Sequence, residues 1–198
     1  MLHHKNNTER GMSLIEVLVT LAVVSLIMVS ASNSVLALYK TNNTGTRALT
    51  QISSARSALT ALMTDVRSIA HGNDGSYPIV SMSAYSLTFF SNIPNSIGAT
   101  RFQYQINGTT LSRSSVSPGT PPTYSGAPMS ESLATYVQNT TDSIPLFRYY
   151  DSSGVEITDM SRVTAVASVL ISIDVRSPGM TTPFILTATT TLRNLKAI

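Results

Sequence analysis

From Val17 to Tyr39 the chain carries no charged side chain, and this run constrains what the N-terminal part can become more than any other feature. A helix of about 20 apolar residues, each rising 1.5 Å, covers a hydrocarbon core of roughly 30 Å, so the run has the length and composition of a membrane-spanning helix. Glu16 stands at its head. A carboxylate carried to mid-bilayer costs on the order of 2.5–3.5 kcal/mol, which marks this residue as functional and in need of a partner. Ser13, three residues before it, also fits a capping box, in which serine and glutamate satisfy free N–H groups of the first turn and the acid faces the positive end of the helix dipole.

The parts follow in a fixed order: a polar leader Met1–Arg10, then Gly11-Met12-Ser13-Leu14-Ile15-Glu16, then the apolar run. In these residues the chain resembles the type IV pilin and pseudopilin superfamily, whose precursors have a glycine before the cleavage point and a glutamate at the fifth position after it. Counted from Met12, Glu16 is fifth. The resemblance implies that a prepilin peptidase cuts between Gly11 and Met12, that Met12 is N-methylated, and that the new Met12 amine pairs with the Glu16 carboxylate of a neighbouring subunit. Opposite charges that are each costly in lipid are less costly together, so the pair would set the register of assembly.

The resemblance also implies partners: the prepilin peptidase, other pilin or pseudopilin subunits, a membrane assembly platform and the lipid bilayer. It implies single-pass insertion in the cytoplasmic membrane with the C-terminal domain outside, followed by incorporation into a cell-surface or envelope filament. Lys5 and Arg10 before the run are balanced by Lys40 and Arg47 after it, so the flanking charges do not themselves fix orientation. A rival reading takes Val29-Ser30-Ala31 as a signal-peptidase site that releases a secreted binding or enzymatic domain beginning at Ser32. A third keeps the domain anchored without polymerising.

Beyond Tyr39 the polar stretch Lys40–Thr46, with Gly45, is expected to end or loosen the helix, and Ser30, Ser32, Asn33 and Ser34 form a weaker candidate for loosening. Helical spacing then returns in Ala48, Ile52, Ala55, Leu59, Leu62, Val66 and Ile69, opposite a wet face of Arg47, Arg56, Thr60 and Arg67. The family pattern makes this one helix from about Ser13 to Ile69. The expected organisation is leader 1–11, membrane or filament-core helix 12–39, amphipathic helix 40–71 and a β-rich domain 72–198.

After the turn signal His71–Gly75 the period falls to two. Ala84–Ser91, Thr100–Ile106, Leu146–Tyr150, Val163–Val175 and Phe184–Leu195 read as strands, the last two as a hairpin, and Ser130–Val137 as either helix or strand. Asn107-Gly108 predicts a tight turn into a strand from Thr109. Ser117–Pro128, rich in proline and glycine, reads as a long surface loop. The fold class is therefore α+β, a long helix packed on an antiparallel sheet. In layout the chain looks most like the minor pilins and J-type pseudopilins.

Chemistry finds little footing. The chain has no cysteine, charged residues make up 12%, and the net charge of +3 becomes +2 if the leader is removed with Lys5, Arg10 and Glu9. Such a balance argues against a nucleic-acid binder, although Arg101, Arg113, Arg148, Arg176, Arg193 and Lys196 could in principle form a basic face for DNA. His71 and Asp74 sit in a glycine-rich turn with no serine in a nucleophile setting, and His3-His4 has no further ligands. Asp151, Glu156 and Asp159 have spacings that calcium could use but read better as a polar turn. No enzymatic activity, metal or cofactor is expected.

Overall fold

The computed structural model describes residues 13–93, 98–178, 180 and 182–192. The chain divides into two compact units, Met1–Gly45 and Thr46–Ile198. One helix, α1 (Leu14–Arg67), supplies the described part of the first unit after Ser13 and the opening of the second.

Within the first unit α1 runs without interruption through Ser30–Ser34 and Lys40–Thr46, so neither expected loosening occurs. The reason lies in the hydroxyls of these stretches. Ser34 donates to the Ser30 carbonyl at 3.0 Å, Thr41 to Ala37 at 3.0 Å and Thr44 to Lys40 at 2.9 Å. Each of these three hydroxyls folds back on the preceding turn.

In the second unit α1 turns one stripe inward: Ala48, Ala55, Ala58, Leu62, Asp65 and Val66 are buried. Arg47, Arg56, Thr60 and Arg67 are exposed, as the spacing predicts, while Ile52 and Leu59 are only half-buried. Small residues at 55 and 58 let the helix approach its neighbours closely, and Leu62, Val66 and Ile69 supply apolar bulk.

The strands form two antiparallel sheets. The five-stranded sheet is a meander of β1 (Ile79–Met82), β2 (Ser86–Ser91), β3 (Thr100–Asn107), β4 (Thr110–Val116) and β5 (Met129–Thr135) in sequential order. The other sheet orders β6 (Phe147–Tyr150), β7 (Ser168–Val175) and β8 (Phe184–Thr191). The predicted terminal hairpin is β7 with β8, in register from Ser168 opposite Thr191 to Val175 opposite Phe184. Its first strand is shorter than the alternation suggests, because Val163–Ala165 forms a 3₁₀ turn. The α+β class holds, with two sheets in place of one.

Alternation decides which side chains meet. Leu87, Phe89, Phe102, Tyr104 and Leu111 point from one face of the five-stranded sheet into the same core as Val169, Ile171 and Ile173 of β7, and as Leu62 and Val66 of α1. The two sheets are tied directly, since the Phe147 N–H donates to the Ala84 carbonyl at 3.0 Å and the Tyr149 hydroxyl to that of Ser83 at 2.9 Å.

The β3–β4 turn falls one residue later than the sequence suggests. Asn107 pairs with Thr110, so Gly108-Thr109 is the loop. Gly108 takes φ +60° while no positive φ falls on Thr109, the pattern of a turn that needs glycine at its first central position.

Candidate functional site

The N-terminal segment is built from its first turn upward. Ser13 precedes the helix, its carbonyl accepting the N–H groups of Glu16 at 2.9 Å and Val17 at 3.2 Å. Its hydroxyl oxygen accepts the Ile15 N–H at 3.3 Å, so the serine caps the helix one residue earlier than the capping box requires. The Glu16 side chain makes no hydrogen bond or ion pair with any described residue, although its backbone is well inside the first turn. Gly11 and Met12, the residues of the expected cleavage and N-methylation, lie outside the described residues, as does the leader.

The helix that follows is long and apolar enough to cross a membrane, and its most apolar stretch is not buried within the protein. Leu14, Ile15, Leu26 and Leu38 are exposed, and so is the rest of the apolar run to Tyr39. Thr20 donates to the Glu16 and Val17 carbonyls, each at 2.9 Å, and Ser25 to Ala22 at 2.8 Å. The segment thus offers lipid or another helix an apolar surface in which the hydroxyls bond back to their own backbone. Val29-Ser30-Ala31 lies in mid-helix.

A second acid of α1, which sequence reasoning passed over, is handled differently. Asp65 is 4% exposed. Its Oδ2 accepts the Tyr104 hydroxyl at 2.6 Å and the Arg113 Nη1 at 3.1 Å, while Arg113 Nη2 reaches Glu131 Oε2 at 2.8 Å. The Asp65 carbonyl takes the Ser91 hydroxyl at 2.8 Å. Burial first, then the charge and hydrogen bond of Asp65, push the Tyr104 phenol far above its usual range, so it remains a donor. The last turn of α1 is thereby fastened to β2, β3 and β4. A sequence signal existed: position 65 falls on the buried stripe between Leu62 and Ile69.

A further acid pair sits against the three-stranded sheet. Arg176 bonds Asp142 through Nη2. Asp174 beside them is fully buried, and neither of its side-chain oxygens has a donor among the described residues. Burial, followed by the hydrogen bond and charge of Asp142, raises the Asp174 carboxyl to about 6 against the pull of Arg176. The two facts agree if Asp174 bonds Asp142 only when it carries a proton.

The arginines singled out for a basic face do not gather. Arg113 and Arg176 are paired as above, Arg148 lies 4.0 Å from Glu156, and Arg101 stacks over the Tyr124 ring. Arg193 and Lys196 are outside the described residues. Asp74 is engaged by Ser76, whose hydrogen bonds hold its carboxyl below the usual range, and His71 meets the edge of Tyr77. Asp151 accepts the N–H groups of Ser153 and Val155 at 2.9 Å each, and Asp159 accepts the N–H and the hydroxyl of Ser161, so these acids close turns. No group of three acidic, histidine or cysteine side chains gathers among the described residues.

The sequence profile of the prokaryotic N-terminal methylation motif matches residues 6–32. This is the stretch whose residues resemble the prepilin-type signal of type IV pilins and pseudopilins. No curated protein matches the chain in sequence. Among solved structures, a similar chain occurs in the GspK-GspI-GspJ complex of the enterotoxigenic Escherichia coli type 2 secretion system. It is 14% identical, with a TM-score of 0.46, over 73% of this chain and 98% of that one.

Proposed function

We propose that this chain is a structural subunit, a minor pilin or pseudopilin precursor of a type IV pilus, type II secretion or competence-type filament. The observation that carries the reading is the methylation motif of residues 6–32, set where a 54-residue helix with an uncovered apolar start begins. A membrane-embedded prepilin peptidase cuts after Gly11 and Met12 becomes N-methylated. The mature chain waits in the cytoplasmic membrane with its C-terminal domain outside, and an assembly platform then extracts it into a filament.

Assembly divides into two physical tasks. The apolar helix packs against sister helices with strong but sequence-tolerant contacts, because lipid and leucine offer similar surroundings and close packing makes the difference. Register falls to a single polar event, the Met12 amine of one subunit meeting the Glu16 carboxylate of another. An unpaired acid in lipid costs on the order of 2.5–3.5 kcal/mol, enough to discriminate against misaligned neighbours.

Complementation tests both steps. A bulky residue at Gly11 leaves the precursor unprocessed. Glu16→Ala is processed normally but is lost from sheared filament fractions, whereas normal incorporation of this variant would refute the pairing.

A further inference from the structure

The outer face of the five-stranded sheet carries a second apolar cluster, Phe90, Ala99, Val116 and Tyr124, apart from the main core. Tyr124 belongs to the long loop 117–128 and fastens it there. Its ring lies 4.6 Å from that of Phe90, its hydroxyl donates to the Ala99 carbonyl at 2.7 Å, and it accepts the Asn73 N–H at 3.0 Å.

Two hollows open beside this cluster and meet at Val80 and Arg101. One, of about 620 Å³, has Tyr77, Val80, Phe90 and Tyr124 as an apolar lining, with Asp74 among its residues. The other, of about 320 Å³, sets Thr88, Gln103, Gln105, Ser114 and Ser130, neutral groups that both donate and accept hydrogen bonds, beside the apolar Val116 and Pro128. Arg101 stands between them with its guanidinium 5.8 Å from the Tyr124 ring centre. Of the arginines in the described strands, Arg113 and Arg148 each have a carboxylate within 4.0 Å, whereas Arg101 has none that close among the described residues, although its charge reaches Asp74 in the same hollow. Its fork is held by stacking, and its guanidinium makes no hydrogen bond among the described residues.

We propose that this groove binds an acidic oligosaccharide, Arg101 taking a sugar carboxylate, the amide and hydroxyl row taking ring hydroxyls, and the aromatic hollow taking an apolar sugar face. Three features select this class. A single arginine, with Asp74 in the same hollow, is too little charge for a phosphate backbone, whose binding scales with the number of neutralised phosphates. A peptide strand would dock on a sheet edge, where main-chain groups are free, and this groove lies on a sheet face. The row from Thr88 to Ser130 is hydroxyl-rich and uncharged, which suits the ring hydroxyls of a sugar chain with a carboxylate at Arg101. The site goes beyond the filament reading and does not rest on it.

The test uses the full chain in detergent micelles, titrated calorimetrically with a short oligogalacturonate, a neutral oligosaccharide of equal length and an oligoglutamate peptide. Oligogalacturonate is expected to bind saturably with Kd below about 1 mM, and loss of a charge-assisted hydrogen bond in Arg101→Ala weakens it about tenfold or more. Ser114→Trp, which fills the polar hollow without touching the arginine, weakens it about as much, and the neutral sugar binds about tenfold less tightly. Unfolding midpoints equal to the parent's separate lost binding from lost folding, and Gln103→Ala replaces either variant that fails this check. Absence of saturation, unchanged affinity in these variants, or oligoglutamate binding as tightly as the sugar acid would each overturn the proposal.

Discussion

Helix α1 carries an acid near each end of its sequence, and the two are provided for in opposite ways. Asp65 has a tyrosine and an arginine on one carboxylate oxygen, whereas Glu16 has no side-chain partner among the described residues. Their apolar neighbours divide likewise: Leu62 and Val66 are fully buried, while Leu14 and Ile15 are 79% and 71% exposed. The later stretch of the helix is completed by its own chain. The earlier one leaves its apolar surface uncovered among the described residues, and the proposed function gives it lipid or other helices as surroundings.

The sharpest way to break this comparison is to remove the acids one at a time. Asp65→Ala leaves the buried Tyr104 hydroxyl without an acceptor and Arg113 with Glu131 alone, and is expected to lower unfolding free energy by about 3 kcal/mol in urea titrations. Glu16→Ala, for all its expected effect on assembly, leaves the same transition unmoved. Equal shifts in the two variants would dissolve the distinction.

Asp174 offers a smaller and pH-dependent contrast, a buried acid without a donor. Its carboxyl is raised from 3.8 to about 6 in the folded protein, so folding binds its proton more tightly. This group's contribution is therefore favourable at low pH and is lost as pH rises from about 4 through about 6. Asp174→Asn, which stays neutral and can still donate to Asp142, should flatten that fall and leave the protein more stable than the parent at pH 7–8, read as melting temperature against pH. A parent more stable than the variant at neutral pH would mean that Asp174 has a favourable partner as an anion. The smallest effect belongs to the outer member of the Asp65 network. The Glu131 side chain is 58% exposed, so Glu131→Ala should cost no more than about 0.5 kcal/mol in the same urea titration.

Periodicity made the wet and dry faces of the later helix, the central strands and the terminal hairpin legible in the sequence, while the continuity of the long helix was expected only from the family resemblance. Periodicity failed where the chain departs from a simple repeat. Ile79–Met82 has a register shift between Ile79 and Ser81 and so shows no clean alternation. Met129–Thr135 is an edge strand with mostly exposed side chains, which leaves no apolar pattern to read. Phe90 breaks the alternation of β2 because a loop from far along the chain covers the outer face there. The buried acids were hidden for a related reason: Asp65 looks like a polar residue in a helix until Tyr104 and Arg113 arrive from β3 and β4. The assembly signal is the reverse case. Gly11, Met12 and Glu16 are legible as a motif because, in the function proposed, a peptidase and a neighbouring subunit would read a local stretch of chain.

Mass spectrometry of the intact protein from native membranes tests the central claim most directly. The product is predicted to begin at Met12 and to carry one N-terminal methyl group. An unbroken Gly11–Met12 bond, or a product beginning at Ser32, would contradict it.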